Sequence, residues 1–425
     1  MEVVSIKSAL PQQPSMAYRV LYLTNRWPYP SGESFVSNEV RDLATHFSEL
    51  VVLPTSMEPL GSHERAGLPT NVIVAESTHT MMLEEWGRRG LVGRGLAGCR
   101  HRGVLREVFA SRPFSPRMVL GEAGQVVAMC DAIEQTLGRG LDEFDAVISF
   151  WLNRGASIGA ELNRRHPHLS CFSRGHGGDI YAERSGLKHL PMQRTALHRL
   201  DGIISVSAAG ADYLTTRYPE LTTKTRVGRL GVDDQMACSP SQDGVLRILS
   251  ISNLIPLKRV HLIAEALVHV QRPVKWSHIG DGDERSIIEQ VLERAGDNVG
   301  VSLLGQLPHE SVIDWLRENE VDVFVNVSTT EGVPVSIMEA FSFGIPVIAT
   351  NVGGTSEIVD DSCGVLLSAD FTSKELGEVL EGWDSTNQAL RDGALDRQRG
   401  LYSSEKNQAV FATLIHDGIE KRRGG

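Results

Sequence analysis

The residues between positions 245 and 367 alternate between short apolar segments and longer amphipathic ones. The apolar segments are continuous rather than alternating, which is typical of parallel strands buried on both faces. The amphipathic segments carry apolar residues at helical spacing. Repeated strand–helix units of this kind predict a doubly wound, Rossmann-like sheet. The predicted strands are 245–250, 274–279, 301–304, 321–326, 346–349 and 364–367, and the predicted helices are 259–270, 284–295, 309–318 and 335–343.

The first half of the chain shows the same rhythm less regularly, and the polar segment 240–244 is the predicted linker. We therefore predict an α/β chain of two facing Rossmann-like domains, residues 1–238 and 239–403. A last helical segment, 404–425, is expected to pack back on the first domain. Ligands of open α/β sheets bind beyond the carboxyl ends of the strands, so the deep cleft between two facing sheets is the predicted ligand site. The strands predicted in the first half are 19–24, 50–53, 144–150, 170–172, 202–206 and 225–227, and its first helix is 33–46.

The chain has 425 residues and a formal net charge of −11. This charge disfavours a general nucleic-acid-binding protein, because such proteins usually present a basic face. The five cysteines are scattered and include no Cys-x-x-Cys pair, so we expect neither a structural zinc site nor disulfides. Residues 1–20 contain no apolar run of signal-peptide length, and no segment approaches the roughly 20 apolar residues of a membrane-spanning helix. These features predict a cytoplasmic location.

Two acidic residues, Glu331 and Glu339, flank the start of a predicted helix that follows an apolar strand. If residues 332–339 were helical, the two carboxylates would lie about 10 Å apart. That exceeds the separation of about 9.5 Å in the widest inverting glycosidase pairs. We therefore interpret them as two hydrogen-bond acceptors for distant hydroxyls of one long ligand, such as a nucleotide sugar. The alternative is that Glu331 is a solvated helix cap and Glu339 a surface acid.

The sequence E-G-V-P-V-S-I-M-E at 331–339 is followed by A-x-x-x-G-x-P-V-I-A-T at 340–350 and by G-G-T-S-E-I-V at 353–359. This region resembles the E-x7-E motif of retaining family 4 glycosyltransferases, the group 1 glycosyl transferases of GT-B fold. The resemblance is strong across 200–365 and weaker across 50–140, and it implies two facing Rossmann-like domains with a C-terminal crossover helix. Further segments that resemble the family are 229–233 (RLGVD), 250–260 (SISNLIPLKRV) and 280–284 (GDGDE).

The resemblance implies a donor site assembled from several loops. By that resemblance Glu339 would bind the ribose hydroxyls and Glu331 would hold sugar hydroxyls near the reacting carbon. Lys258 would neutralise the diphosphate as it binds and leaves; without the motif it would be a solvated lysine at a helix start. The donor-binding residues implied are Gly32, Asn253, Lys258, Arg259, Glu331, Gly332, Val333, Pro334 and Glu339.

One donor-site position departs from the family pattern. Many relatives carry an arginine a few residues before the lysine, where this chain has Asn253. An asparagine donates a hydrogen bond but brings no charge. Arg259 is our candidate to supply the missing charge.

A glycine-flanked histidine follows a predicted strand of the first half, in S-R-G-H-G-G-D-I-Y at 173–181. It resembles the HGxDxY segment of the family, which implies that His176 reaches the donor sugar and acts in catalysis with Glu331 and Lys258. Arg174 and Asp179 would orient it or contact the acceptor, or would form only a local salt bridge.

The loop after the first strand contains a glycine that the resemblance places near the donor. Gly32 and the helix start behind it would approach the donor phosphates. Glu33 would either cap that helix or contact the acceptor.

An arginine-rich segment stands out within this acidic chain. Residues 86–117 contain one acid, Glu107, and interleave apolar residues with arginines, which is typical of segments that lie on an anionic membrane surface. The protein would then be peripheral on the inner face of the membrane. The alternative is an ordinary insertion whose arginines are solvated or pair with acids elsewhere. Its arginines are Arg88, Arg89, Arg94, Arg100, Arg102, Arg106, Arg112 and Arg117.

These features together predict a retaining glycosyltransferase that moves a hexose from a nucleoside-diphosphate sugar, with UDP or GDP as the nucleotide. The acceptor would be a hydroxyl of a glycan or lipid-linked glycan in polysaccharide synthesis, and neither cofactor nor metal is expected. Asp281-Gly282-Asp283 is the nearest approach to a metal motif and lies in a predicted turn. The alternatives are a non-catalytic sugar-nucleotide-binding or scaffold subunit, a nucleotide-sugar epimerase and a phosphorylase. A dinucleotide oxidoreductase is disfavoured because no G-x-G-x-x-G follows the first strand.

Overall fold

A computed structural model describes residues 18–29, 33, 36–60, 67–89, 91–101, 103–110, 116–181 and 191–424. The strands are β1 (Arg19–Thr24), β2 (Glu49–Pro54), β3 (Val72–Val74), β4 (Ala146–Ser149), β5 (Ser170–Gly175), β6 (Gly202–Ser205), β7 (Thr225–Val227), β8 (Leu246–Ile251), β9 (Val274–Ile279), β10 (Val299–Leu303), β11 (Val323–Asn326), β12 (Val347–Thr350) and β13 (Gly364–Leu367). The helices are α1 (Val36–Leu43), α2 (Glu76–Arg88), α3 (Leu91–Cys99), α4 (Val104–Ala110), α5 (Pro116–Leu137), α6 (Arg154–Arg165), α7 (Gly177–Ile180), α8 (Gln193–Arg199), α9 (Ala208–Arg217), α10 (His261–Leu267), α11 (Arg285–Leu292), α12 (His309–Glu318), α13 (Val335–Ser342), α14 (Thr355–Ile358), α15 (Ser373–Glu381), α16 (Gln388–Leu401) and α17 (Ser404–Arg423).

The strands form two parallel sheets. The first has the order β3-β2-β1-β4-β5-β6-β7, and the second has the order β10-β9-β8-β11-β12-β13. In the first sheet, β2 and β3 lie on one side of β1, and β4 to β7 lie on its other side. In the second sheet, β9 and β10 lie on one side of β8, and β11 to β13 lie on its other side. The strand order therefore reverses between β1 and β4, and again between β8 and β11. This arrangement confirms the prediction of two Rossmann-like sheets.

The second sheet is covered by helices on both faces. Phe324 on β11 packs in a buried cluster with Phe341 of α13. Its neighbours Val323 and Val325 point to the opposite face, in a cluster with Ile263 of α10. Successive side chains of a strand alternate between faces, so a strand covered on both sides must be apolar at every position. This requirement is why the apolar segments of the sequence are continuous.

The contacts of the chain divide it into two compact units. The first unit comprises residues 1–173, 191–202 and 409–425, and the second comprises 174–190 and 203–408. Within the first unit, the side chain of Arg422 in α17 donates to the carbonyl of Pro167 at 2.8 Å. The boundaries 1–238 and 239–403 follow the sheets rather than these contacts and stay predictions.

Several elements differ from the sequence prediction. The helix expected from Arg259 begins at His261, because residues 256–258 form a 3₁₀ turn and Arg259 has left-handed backbone angles. The strand β3 was not predicted, since its three residues are too few to show a period. Among the described residues of 76–137, the helices are α2, α3, α4 and α5.

Candidate functional site

The loops that follow β8 and β11 lie where the strand order of the second sheet reverses. In open α/β sheets this is the position at which ligands bind. The loop after β8 contains Lys258 and Arg259, and the loop after β11 contains Glu331. The fold therefore brings together two predicted donor-binding segments that lie far apart in the sequence.

The carboxylate of Glu331 is held by several donors. Oε1 of Glu331 lies 2.7 Å from Nζ of Lys258, and it accepts a hydrogen bond from the hydroxyl of Ser328 at 2.6 Å. The side-chain amide of Asn326 donates to the same oxygen at 3.4 Å. Both Glu331 and Ser328 are buried, whereas Lys258 is half-buried. The ammonium can therefore turn toward a phosphate while the carboxylate keeps two neutral donors.

The two loops are also joined through the backbone. The amide of Thr329 donates to the carbonyl of Leu257 at 2.9 Å. The guanidinium of Arg259 donates to the carbonyl of Val327 at 2.8 Å and to that of Ser328 at 3.3 Å. Burial lowers the pKa of Arg259 below its ordinary value. The resemblance implies that Arg259 binds the donor, which stays a prediction. In the structure its guanidinium bonds the loop that carries Glu331 and also reaches the hydroxyl of Thr350 and the carbonyl of Ala369.

Glu339 lies one turn inside α13 and is buried. Its Oε1 is 2.7 Å from Nε2 of His309, at the first position of α12. This hydrogen bond raises the pKa of His309 above its ordinary value of 6.5. Sequence reasoning missed His309, because no local pattern links it to a carboxylate thirty positions away on another helix.

The separation expected between the carboxylates of Glu331 and Glu339 assumed a helix over residues 332–339, and this helix start is wrong. Pro334 is the N-cap of α13, with φ −69° and ψ 119°, and the helix begins at Val335. The rise of about 1.5 Å per residue applies only inside a helix, so it does not apply to residues 331–334. Val333 is buried in the loop before the helix.

Glycine is required at two positions near Glu331 by close approach of the backbone. A β-carbon on Gly332 would lie 2.9 Å from the amide nitrogen of Gly177, in the same unit. A β-carbon on Gly354 would lie 2.0 Å from the carbonyl oxygen of Gly332. The structure therefore places the segment of His176 beside the loop of Glu331.

His176 is buried and precedes α7 as its N-cap. Its backbone amide donates to Oδ1 of Asp179 at 2.5 Å, and its Nδ1 lies 3.9 Å from Oδ2 of the same carboxylate. Asp179 thus fixes the turn that carries the histidine. Arg174 is fully buried, and its guanidinium reaches the carbonyls of Gly228 and Arg229 at 3.5 and 3.4 Å.

Three other predicted positions have different outcomes. Glu33 is buried in the first unit, where its carboxylate accepts the backbone amides of Arg26 at 2.6 Å and Trp27 at 2.7 Å. It therefore organises the loop after β1. Asn253 is exposed in the loop after β8. Gly32 lies outside the described residues.

Glu357, in the third segment of the family resemblance, caps a helix. Its two carboxylate oxygens accept the backbone amides of Ala208 at 2.8 Å and Ala209 at 2.7 Å, the first residues of α9. Carboxylates stabilise helix N-termini because the first amides have no partner within the helix. The glutamate of this motif is thus structural here.

Several arginines of 86–117 are already paired. Arg88 forms ion pairs with Glu84 and Glu85 at 3.2 and 3.1 Å. Arg89 and Arg100 share the carboxylate of Asp131, at 3.4 and 3.0 Å. For these three arginines, the contacts favour the alternative that they pair with acids.

The remaining arginines differ in their surroundings. Arg94 lies over the ring of Trp86, 5.0 Å from its centroid, and Arg117 is exposed. Arg102, Arg112 and the side chain of Arg106 lie outside the described residues. Three apolar side chains on α3 and α4 are strongly exposed, namely Leu96 at 64%, Leu105 at 68% and Phe109 at 74%.

Within the described ranges, no helix is both long enough and apolar enough to cross a membrane. The same part of the chain contains no group of three His, Cys, Asp or Glu side chains placed to hold a metal ion.

Part of this chain matches a known family. Residues 246–381 match the family described as glycosyl transferases group 1. The GPI3 component of the phosphatidylinositol N-acetylglucosaminyltransferase of Saccharomyces cerevisiae is 28% identical over 159 residues, which are 37% of this chain and 34% of that protein. The amylovoran biosynthesis glycosyltransferase AmsK of Erwinia amylovora is 25% identical over 237 residues, 52% of each chain. The chain thus spans about a third to a half of the length of these relatives.

Solved structures match over most of the chain. The lipopolysaccharide outer core galactosyltransferase WaaB in its apo form has a TM-score of 0.66 and 15% identity, and covers 94% of this chain and 99% of its own. Anabaena HepE in complex with UDP and glucose has a TM-score of 0.63 and 16% identity, and covers 94% of this chain and all of its own. At such identities the likeness establishes the fold alone. Residues 246–381 therefore match the glycosyl transferases group 1 family, within a chain of GT-B fold.

Proposed function

We propose that the protein is a retaining glycosyltransferase that moves a hexose from a nucleoside-diphosphate sugar to a hydroxyl of a glycan acceptor. The observation that carries this proposal is the pairing of Lys258 with Glu331 where the strand order reverses, within a group 1 glycosyl transferase segment. Donor binding would turn Lys258 from the carboxylate to the diphosphate. Glu331, still held by Ser328 and Asn326, would accept hydrogen bonds from sugar hydroxyls.

The reaction breaks the bond between the anomeric carbon and the phosphate oxygen and forms a bond from that carbon to the acceptor oxygen. The acceptor proton passes to the departing phosphate, and retention follows if both events occur on one face of the sugar. Lys258 stabilises the charge that develops on the diphosphate, which is where electrostatic catalysis has most effect. We propose that this ammonium and the start of α13 neutralise the diphosphate without a bound metal or cofactor.

We propose UDP as the donor nucleotide, with GDP as the second candidate. HepE, which shares the fold, was solved with UDP and glucose. Glu339 would accept hydrogen bonds from the ribose, one helical turn along α13 from the sugar site. His176 would contact the sugar from its position beside Gly332, where the two loops meet.

The acceptor proposed is a glycan or lipid-linked glycan in the synthesis of a cell-surface or extracellular polysaccharide. AmsK is named for amylovoran biosynthesis, and TuaC of Bacillus subtilis for teichuronic acid biosynthesis. Other relatives are named for phosphatidylinositol, which is a lipid, and this supports a lipid-linked acceptor. We place the enzyme in the cytoplasm, in contact with the inner face of the membrane.

The membrane contact rests on the exposed apolar side chains of α3 and α4. Leu105 and Phe109 lie four positions apart, on one face of α4. Apolar side chains that enter the headgroup region, with arginines nearby, bind anionic lipid surfaces. We propose that this surface of α3 and α4 binds an anionic bilayer. Arg117 is an exposed basic residue of the same region.

The experiment that tests the function is a donor screen followed by a transfer assay. UDP-, GDP-, ADP- and dTDP-sugars are each added to the protein, and the melting temperature identifies those that bind the native state. The selected donor is then incubated with and without a glycan acceptor, and the anomeric configuration of the product is read by NMR. Sugar transfer with retention supports the proposal. Donor binding without transfer favours a scaffold protein, and a change of the donor sugar without acceptor favours an epimerase.

A further inference from the structure

The side chain of Arg259 connects the carboxyl ends of three neighbouring strands. Beyond its bonds to Val327 and Ser328 after β11, its guanidinium lies 3.4 Å from the hydroxyl of Thr350 at the end of β12. It also donates to the carbonyl of Ala369, after β13, at 3.0 Å. A guanidinium presents five N–H donors in a rigid plane, so one side chain can bind several carbonyls whose positions are fixed relative to one another.

The backbone of Arg259 has a left-handed conformation, which directs its side chain toward these contacts. Its φ of 49° and ψ of 32° are left-handed, a conformation that costs free energy for any residue with a β-carbon. Its guanidinium also lies over the ring of Phe371, 5.1 Å from the centroid. Because of this left-handed turn, the side chains of Lys258 and Arg259 point in different directions. The two adjacent cations therefore make different contacts.

The three consecutive residues 257–259 therefore all contact the loop after β11. Leu257 accepts the amide of Thr329, Lys258 pairs with Glu331, and Arg259 binds the carbonyls of Val327 and Ser328. The hydroxyl of Ser328 in turn bonds Glu331. The position of that carboxylate thus depends on the position of the backbone that Arg259 holds.

We propose that Arg259 is a positioning residue for the donor site, which acts on the loop of Glu331 and not on the donor itself. This inference rests on the proposed function for its effect on turnover, but its effect on the loop can be measured without a reaction. It replaces the earlier expectation that Arg259 supplies a charge to the diphosphate. A lysine at this position would keep the charge and lose the planar set of donors.

The test compares Arg259→Lys and Arg259→Gly with the wild type and with Arg391→Lys. The glycine variant removes the guanidinium and accommodates the left-handed backbone. Arg391 is a matched control, because it is a buried arginine that donates to the carbonyl of Val321, just before β11, at 3.1 Å. The measurements are donor kcat and KM, the melting temperature, and hydrogen–deuterium exchange of the amides in 327–331. Guanidinium ion is then added to Arg259→Gly at millimolar concentration.

We expect both Arg259 variants to lose about tenfold or more in kcat, as misplaced catalytic groups do, and to exchange the 327–331 amides faster than the wild type. Guanidinium should restore part of the kcat of Arg259→Gly. Arg391→Lys should lower the melting temperature and leave kcat unchanged.

Two results would overturn the proposal. One is an Arg259→Lys enzyme with wild-type kcat and a raised donor KM alone, because that would indicate a charge contact with the donor. The other is unchanged exchange of 327–331 in Arg259→Gly. If the wild type transfers no sugar, the proposed function fails, while the exchange comparison still decides whether Arg259 positions the loop.

Discussion

Nζ of Lys258 lies 2.7 Å from Oε1 of Glu331, although 73 positions separate the two residues in the chain. The contact joins the loops after β8 and β11, the two strands between which the order of the second sheet reverses. Under the proposed function, it places a cation and an anion where the diphosphate and the sugar hydroxyls of the donor would bind. Without a ligand, the ammonium and the carboxylate pair with each other.

Glu331→Gln and Lys258→Ala should each reduce sugar transfer by about a hundredfold or more, the effect of removing one electrostatic contact to a transition state. Lys275→Ala provides the control, since Lys275 is an exposed lysine on β9. Initial rates at saturating donor, with melting temperatures measured in parallel, check the prediction. Wild-type rates in both site variants would remove these residues from the mechanism.

Ser328→Ala should lower the transfer rate, because the alanine cannot donate the 2.6 Å hydrogen bond that orients Glu331. A hydrogen bond to a charged group contributes about 1.5–3 kcal/mol, so a loss of roughly tenfold or more is expected. Ser342→Ala is the control, since its buried hydroxyl bonds only the backbone carbonyl of Glu339 as far as the described contacts go. Equal rates for Ser328→Ala and the wild type would show that Glu331 needs no such support.

The pairing of His309 with Glu339 predicts a pH-dependent stability. The folded state raises the pKa of His309 above 6.5, mainly through the hydrogen bond to Glu339. The stabilisation is therefore fully present below pH 6.5 and is lost as the pH rises through the folded-state pKa. We expect the unfolding free energy of the wild type to exceed that of His309→Gln at about pH 5.5 by more than at about pH 8.5. In a Glu339→Gln background the same substitution should show a much smaller pH trend, and an equal trend would contradict the assignment.

Glu357→Gln should destabilise the protein by about 1 kcal/mol, the usual contribution of a capping carboxylate at a helix N-terminus. The expected cause is weaker capping of α9 through the amides of Ala208 and Ala209. Urea unfolding followed by circular dichroism measures the change. The neighbouring substitution Ser356→Ala, at an exposed position, should have little effect. A destabilisation equal in the two variants would argue against capping.

Leu105→Ser together with Phe109→Ser should weaken binding to vesicles that contain phosphatidylglycerol, because both side chains are more than two-thirds exposed on α4. Sedimentation with vesicles, with and without the anionic lipid, measures the effect. Exposed Met236→Ser, far along the sequence, is the control. If the double variant sediments like the wild type, α4 does not contact the lipid.

The sequence predicts the exact bounds of some elements and only the approximate bounds of others. The bounds of β1, β9 and β13 match the prediction, whereas those of the fully buried strands β11 and β12 are shifted by one or two residues. The helix α12 was also predicted with its observed bounds. In contrast, β3 has too few residues for its period to appear.

The contacts of the site follow a different rule. The pairing of Lys258 and Glu331 depends on which strands are neighbours, and the resemblance to a family implies only that both residues contribute to one donor site. The direction of Arg259 depends on one left-handed residue, which no local preference of arginine predicts. The bond from His309 to Glu339 joins two helices whose relative placement is a property of the packed sheet.

The contacts of residues 257–259 with the loop after β11 have a consequence for protein engineering. A chimera that imports residues 326–334 from an enzyme with another donor preference would bring a loop without its matching support. Arg259 is positioned to bind the carbonyls of Val327 and Ser328, and the carbonyls of the imported loop would lie elsewhere. Donor specificity in this scaffold should therefore be exchanged as a pair of segments, 253–260 together with 326–334, rather than one loop at a time.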